Sequence, residues 1–325
     1  MKKLSAIIVL ILAISVCYSF ARLKKPVRVY SFKGQPKTKE QLGEILFFET
    51  NLSSDGTISC ASCHIPEFGF ADTVAFSKGV DHKVGNRNTP SCANMADRPY
   101  FFYDGRAATL EEQVGFPIEN KVEMNLPLAV AVKRLKSDSN YNAWFKRIFK
   151  EAPNEKNLKI AIASYERTLE TSSTPYDSYM EKDDSTLISA SAIRGRTLFL
   201  EKARCFDCHF SPDFTGDEFR NIGLFNGKDM NDSGRYVVSK KKSDIGKFKV
   251  PGLRNVAITA PYMHNGMFKT LREVIEFYDN PYKVVPNPIN IDTLLEKPLN
   301  LSVHEKDDLE AFLHTLTDDH FRKKQ

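Results

Sequence analysis

Two five-residue segments, Cys60-Ala-Ser-Cys63-His64 and Cys205-Phe-Asp-Cys208-His209, share the pattern C-x-x-C-H. Two thiols at this spacing can form thioethers with the two vinyl groups of a haem. The adjacent histidine is then held beneath the iron as its axial ligand. The chain therefore carries two attachment sites for c-type haem. A structural zinc site would need all four cysteines together, yet the pairs lie far apart, and zinc gives no reason for a histidine after each. A thioredoxin-like redox pair would need a βαβ context and has no reason to occur twice. Cys92 is left over and is expected to be a buried, inert thiol. No disulfide is expected.

The compartment agrees with this chemistry. Lys2 and Lys3, the apolar run from Leu4 to Val16 and the small-x-small site Ser19-Phe20-Ala21 read as a secretory signal peptide over residues 1–21. The run is short for a membrane span. The mature chain is expected in the periplasm, with Cys17 removed. The rival readings are a lipoprotein acylated at Cys17, which the bulky Val16 disfavours, and an uncleaved anchor. The 325 residues are 42% apolar and 27% charged, which excludes disordered, collagenous and polytopic membrane classes. A net charge of +5 is too weak a bias to argue for nucleic acid, and no run of like charge changes that.

The elements that position the haems repeat. Gly43-x-x-Leu46-Phe47 precedes the first motif and Gly195-x-x-Leu198-Phe199 the second. Arg87-Asn88, Pro99-Tyr100, Asp104-Gly105 and Thr109-Leu110 follow the first. Arg254-Asn255, Pro261-Tyr262, Asn265-Gly266 and Thr270-Leu271 follow the second, in the same order. The expected fold is mostly α, with two cytochrome c-like haem domains from an internal duplication and long irregular loops. The N-terminal domain would span 34–175 and the C-terminal domain 176–325, divided in the polar stretch 172–186. Capping boxes are expected at Thr38 with Gln41, Thr109 with Glu112, and Thr270 with Glu273. Leu158, Ile162, Tyr165 and Leu169 form one apolar stripe. Leu309, Phe312, Leu313 and Leu316 form another.

The repeat also shows a difference. Eight residues beyond each helix-starting threonine stand Pro117 and Tyr278. Tyr278 shares a helix face with Leu271, Val274 and Ile275 and points inward. It is either a core tyrosine or a phenolate ligand to the second iron, a known haem ligand type. Met263 and Met267 are the alternative ligands. Proline cannot coordinate, so equivalent positions would leave the first haem open and the second closed. An open iron can take a small oxidant, and splitting a peroxide needs a group that moves a proton. Gln113 and Glu123 flank Pro117, whereas Val274 stands at the Gln113 position of the second half. On spacing alone a solvated loop carboxylate is the favoured reading of Glu123.

The stretches LSSDGTISCASCHIPEFGFAD, GNRNTPS, YDGRAATLEEQ, KVPGLRNVAITAPYMHNG and TLREVIEFY resemble bacterial dihaem cytochrome c peroxidases, including their MauG-like branch, over about residues 38–318. The resemblance implies a peroxidatic haem in the N-terminal half and an electron-transfer haem in the C-terminal half. Gln113 and Glu123 fall at the family's distal glutamine and catalytic glutamate. Asn88 (side chain) with Thr259 and Pro261 (backbone carbonyls) match the ligands of a calcium ion between the haems. Tyr103 stands where the family has an inter-haem tryptophan. Tyr278 stands where peroxidases have methionine and the MauG-like branch has tyrosine, a change that should lower the potential of that haem. Some members close the resting N-terminal haem with a loop histidine. His82 lies in that loop, but its spacing from Arg87-Asn88 is short. Trp144 reads as core, and His304, His314 and His320 as surface.

The reading that follows is a periplasmic dihaem c-type peroxidase. It would take hydrogen peroxide and accept electrons from a small cytochrome c or cupredoxin. Relatives are often homodimers. The alternatives are a MauG-like oxidase acting on a protein substrate, and a dihaem electron carrier without peroxide chemistry.

Overall fold

The computed structural model describes residues 34–318 apart from Ser172. The expected signal peptide, Cys17 within it, and His320 lie outside the described residues. Among the described residues there are ten α-helices and one two-stranded antiparallel ribbon, joined by long irregular segments and short 3₁₀ turns. No described helix is long and apolar enough to cross a membrane. The expected mostly helical class and long loops are what is found.

Two helix pairs hold the frame. Helix α1 (Lys39–Phe47) packs on α5 (Glu155–Glu166), and α7 (Ala190–Leu200) packs on α10 (Val303–His314). Between α1 and α5 lie α2 (Leu110–Glu119), α3 (Leu128–Ser137) and α4 (Ser139–Phe149). The repeated glycines explain the two close packings. A Cβ on Gly43 would lie 1.9 Å from the Ala161 carbonyl oxygen, and one on Gly195 would lie 1.8 Å from that of Asp308. Leu46, Phe47 and Phe199, from the same repeated pentapeptide, are fully or almost fully buried.

One apolar cluster gathers Leu42, Leu46, Leu158 and Ile162, with Trp144 packed against it. A second gathers Phe199, Phe214, Leu309, Phe312, Leu313 and Leu316. The stripes expected in the sequence therefore face these interiors. The polar stretch 172–186 is not a linker: it carries α6 (Pro175–Lys182), started by a Thr174–Asp177 capping box. Tyr176 from that helix stacks edge-on against Phe214 and Phe312 at 5.3 and 5.7 Å.

The three expected capping boxes differ in detail. Thr270 and Glu273 form the reciprocal pair at the start of α9 (Leu271–Asp279), after the short α8 (Tyr236–Ser239). Thr38 and Thr109 each accept from the N–H three residues on. Gln41 and Glu112, however, reach one residue further back, to the N–H groups of Lys37 and Ala108. The carboxamide and carboxylate still satisfy an orphan donor, but not that of the capping residue.

Replacing Gly195 by Ala is expected to lower folding stability by about 2–3 kcal/mol, because helix backbone would have to move. Gly85, with nothing within 4 Å of a built Cβ, should tolerate alanine to within about 0.5 kcal/mol. Denaturant midpoints of the two variants check this.

Candidate active site

Each C-x-x-C-H segment folds as a 3₁₀ turn, Cys60–Ser62 and Cys205–Asp207. In both, the histidine N–H donates to the carbonyl of the first cysteine at 2.9 Å. The His64 Nδ1 lies 3.0 Å from the Phe70 carbonyl oxygen, and the His209 Nδ1 lies 2.9 Å from that of Phe214. Burial pushes both imidazoles below their usual range, and these carbonyls oppose the shift. A neutral ring donating from Nδ1 leaves the Nε2 lone pair free for a metal. Burial likewise holds the cysteines as thiols, with Cys63 pushed up to about 12 and Cys208 to about 11. They are not poised as thiolate ligands.

Both motifs line one cavity of about 860 Å³. The residues fit two c-type haems: paired thiols, a neutral histidine with its free nitrogen, and a mostly apolar space shared by both. Cys92 is buried in the first cluster beside them, and burial keeps its thiol protonated.

The other residues expected at the site come together on this cavity. Gln113 and Pro117 reach it from α2, and Glu123 from the loop after it. Tyr278 reaches it from α9, along with Val274. Burial, with the Cys208 and Cys205 thiols nearby, pushes the Tyr278 phenol up, so the chain alone keeps it neutral. A phenolate there requires an adjacent cation. Tyr103 lies on the same cavity, with its ring 6.5 Å from that of Phe248. Phe248 in turn stacks on His264 at 3.8 Å. Asn88, Thr259 and Pro261 also line the cavity. The Asn88 Nδ2 donates to the Val74 and Ala75 carbonyls at 3.1 and 3.3 Å.

Met263 and Met267 both pack against a cluster around Phe277, and only Met263 is among the residues lining the cavity. His82 is exposed in the turn Val80–His82 and is not among the residues lining the cavity. His304 and His314 are exposed on α10.

Glu123 is held by the Asn120 Nδ2, which donates to Oε1 at 2.6 Å and leaves Oε2 available. Burial raises this carboxyl above the usual carboxylate range, opposed by the Asn120 hydrogen bond and the Arg106 charge. The loop is pinned from behind: the Val80 N–H donates to the Glu123 carbonyl at 2.8 Å, and a Cβ on Gly79 would lie 2.4 Å from it. Half-buried ion pairs then join the two halves of the chain. Arg87 donates to Asp104 at 2.6 Å and to Asp232 at 2.7 and 2.8 Å. Arg98 pairs with both Asp213 and Asp217.

The sequence profile of the di-haem cytochrome c peroxidase family matches residues 37–185. The methylamine utilization protein MauG of Methylorubrum extorquens is 36% identical over 300 residues, 91% of this chain and 83% of its own. This chain belongs to the di-haem cytochrome c peroxidase family. The cytochrome c551 peroxidase of Pseudomonas aeruginosa is 33% identical over 302 residues, 90% of this chain and 83% of its own. A solved structure of a MauG-like protein associated with microbial copper homeostasis matches with a TM-score of 0.80 at 30% identity. It covers 92% of this chain and 95% of that one. Membership makes this chain an oxidoreductase enzyme with two haem c groups, against the reading of a plain electron carrier.

Three residues at the site of this di-haem enzyme were not singled out in the sequence. Asn120 and Arg106 bear on Glu123. Glu166 is buried at the end of α5 and lines the cavity near Cys60 and Cys92. A signal for Glu166 existed: it lies four residues beyond Ile162, on the apolar face of its helix.

Burial pushes Glu166 from the ordinary 4.5 up to about 8. Below the lower value both folded and unfolded chains hold the proton. Between the two values the unfolded chain releases it and the folded chain keeps it, so stability falls as pH rises through this window. The expected loss is on the order of a few kcal/mol from about pH 5 to about pH 8. Glu166→Gln should flatten it, as denaturant midpoints across that range will show.

Proposed function

We propose that this enzyme is a periplasmic dihaem c-type peroxidase. It reduces hydrogen peroxide to water with electrons from a small cytochrome c or cupredoxin. The observation that carries the proposal is the asymmetry of the shared cavity. Pro117, Gln113 and Glu123 line it from the first half, while Tyr278 and Val274 line it from the second. At the equivalent helix positions the first half places Gln113 and a proline that cannot coordinate, and the second half places Val274 and a tyrosine that can.

Cys60, Cys63 and the His64 Nε2 would hold one haem, and Cys205, Cys208 and the His209 Nε2 the other. When bound, the haems supply the redox chemistry that reduces the peroxide. Glu123 Oε2 takes a proton from one peroxide oxygen and delivers it to the other. Asn120 keeps Oε1 occupied, so that Oε2 is the atom presented. Gln113 orients the peroxide by hydrogen bonding. Tyr103, in its buried aromatic setting, passes electrons between the halves. Asn88, through its side-chain oxygen, and Thr259 and Pro261, through their backbone carbonyls, would supply the oxygen ligands of a calcium ion. The active assembly is a homodimer.

Tyr278 favours a second reading, a MauG-like oxidase that withdraws electrons from a protein substrate. A low-potential second haem suits that role better than supply from a high-potential donor. Turnover of a reduced donor cytochrome on addition of peroxide supports the peroxidase. A peroxide reaction without donor turnover supports the MauG-like oxidase.

Glu123→Gln should slow peroxide consumption by about 100-fold or more with both haems retained, the scale of lost proton transfer. Retained activity would remove Glu123 from the mechanism. Tyr278→Phe should convert the second haem to high spin in the optical spectrum, and an unchanged spectrum would make Tyr278 a core residue.

A further inference from the structure

A second pocket opens at the surface beside α2, lined among others by Gly115, Phe116 and Lys159. Arg106 and Asn120 line both this pocket and the large inner cavity. The wall between the two spaces is therefore thin, and its composition is defined. Phe102 faces the inner cavity and Phe116 the outer pocket. Their rings meet edge to face at 5.4 Å. The Arg106 guanidinium lies 3.6 Å from the Phe102 ring centre and 5.6 Å from that of Phe116. Asp104, itself buried, accepts from Arg106 Nη1 at 3.1 and 2.8 Å and fixes the guanidinium there. Asn120, on the other side of the mouth, is the residue that holds Glu123.

We propose that this outer pocket is the access route for the small oxidant. Arg106, clasped by Phe102 and Phe116, forms the gate through which the oxidant reaches Gln113 and Glu123. The inference rests on the reading of the first haem side as the open one. The arrangement suits a small molecule that makes hydrogen bonds. The inner end of the route carries the Asn120 amide and the Glu123 carboxyl, so the oxidant arrives among the groups that act on it. The gate itself is a cation stacked on rings, held by contacts that can part without unfolding a helix. Bulky or strongly anionic molecules meet the Phe102–Phe116 contact and the nearby Glu112 and Glu119 carboxylates that also line the pocket.

A gate changes rates and leaves equilibria alone, because it alters the barrier and neither end state. The test uses hydrogen cyanide binding to the ferric holoprotein, followed by stopped-flow absorbance. Two variants act on the outer side only. Gly115→Leu fills the pocket, where the nearest atoms to a built Cβ are the flexible end of Lys159 at 3.0 and 3.2 Å. Phe116→Ala removes a ring that is 40% exposed. Gly115→Leu should lower association and dissociation rates together by at least about fivefold with the dissociation constant unchanged. Phe116→Ala should raise both rates together by about twofold or more. Unchanged rates in either variant, or a changed dissociation constant with an unchanged dissociation rate, would overturn the gate. If the parent protein binds no cyanide at all, it is the open-haem reading that fails rather than the route.

Discussion

The bond on which the rest depends joins each motif histidine to a backbone carbonyl a few residues on. His64 uses Phe70 and His209 uses Phe214. A neutral imidazole fixed at Nδ1 presents Nε2 in one direction only, which makes a metal ligand out of a buried histidine. The carbonyl can serve only if the chain turns back sharply after the motif. In the first half the turn is pinned by the Ile65–Ala71 bridge. The helix pairs α1–α5 and α7–α10 then close over it. Their glycine contacts bring backbone against backbone.

The second constraint is charge. Placing two cofactor sites in one cavity brings loops together that would otherwise be solvated. Arg87, Arg98 and Arg254 each bridge two carboxylates at this junction, of which Asp104 is buried and the others half-buried. Pairs of this kind give little net stability, but removing one partner leaves a charge uncompensated. Their contribution is to register: they fix where Asp104, and through it Arg106, sits relative to Glu123. The Glu123 carboxyl, its electrostatic setting and the wall beside it thus belong to one network.

This division explains what could be read from the chain alone. The haem sites were legible because C-x-x-C-H is local chemistry, five residues that act together. The difference between Pro117 and Tyr278 was legible because the repeat supplied its own reference. Tyr278 was placed inward by helix periodicity, and the structure puts it on the cavity. The Arg87–Asp232 pair was not legible, since its partners stand 145 residues apart. Arg106 escaped notice because its role comes from two rings and a carboxylate gathered by the fold. The helix at Pro175–Lys182 was missed because its polar composition concealed one anchoring residue, Tyr176. The register of two capping boxes was misjudged by one residue, since loop geometry decides which N–H a side chain reaches.

The central claim is that two similar haem sites in this chain are made unlike by Pro117 in the first half and Tyr278 in the second. Low-temperature EPR of the fully oxidised holoprotein tests it most directly. One high-spin and one low-spin ferric haem per chain is the result the account predicts. Two low-spin haems in every redox state would contradict it.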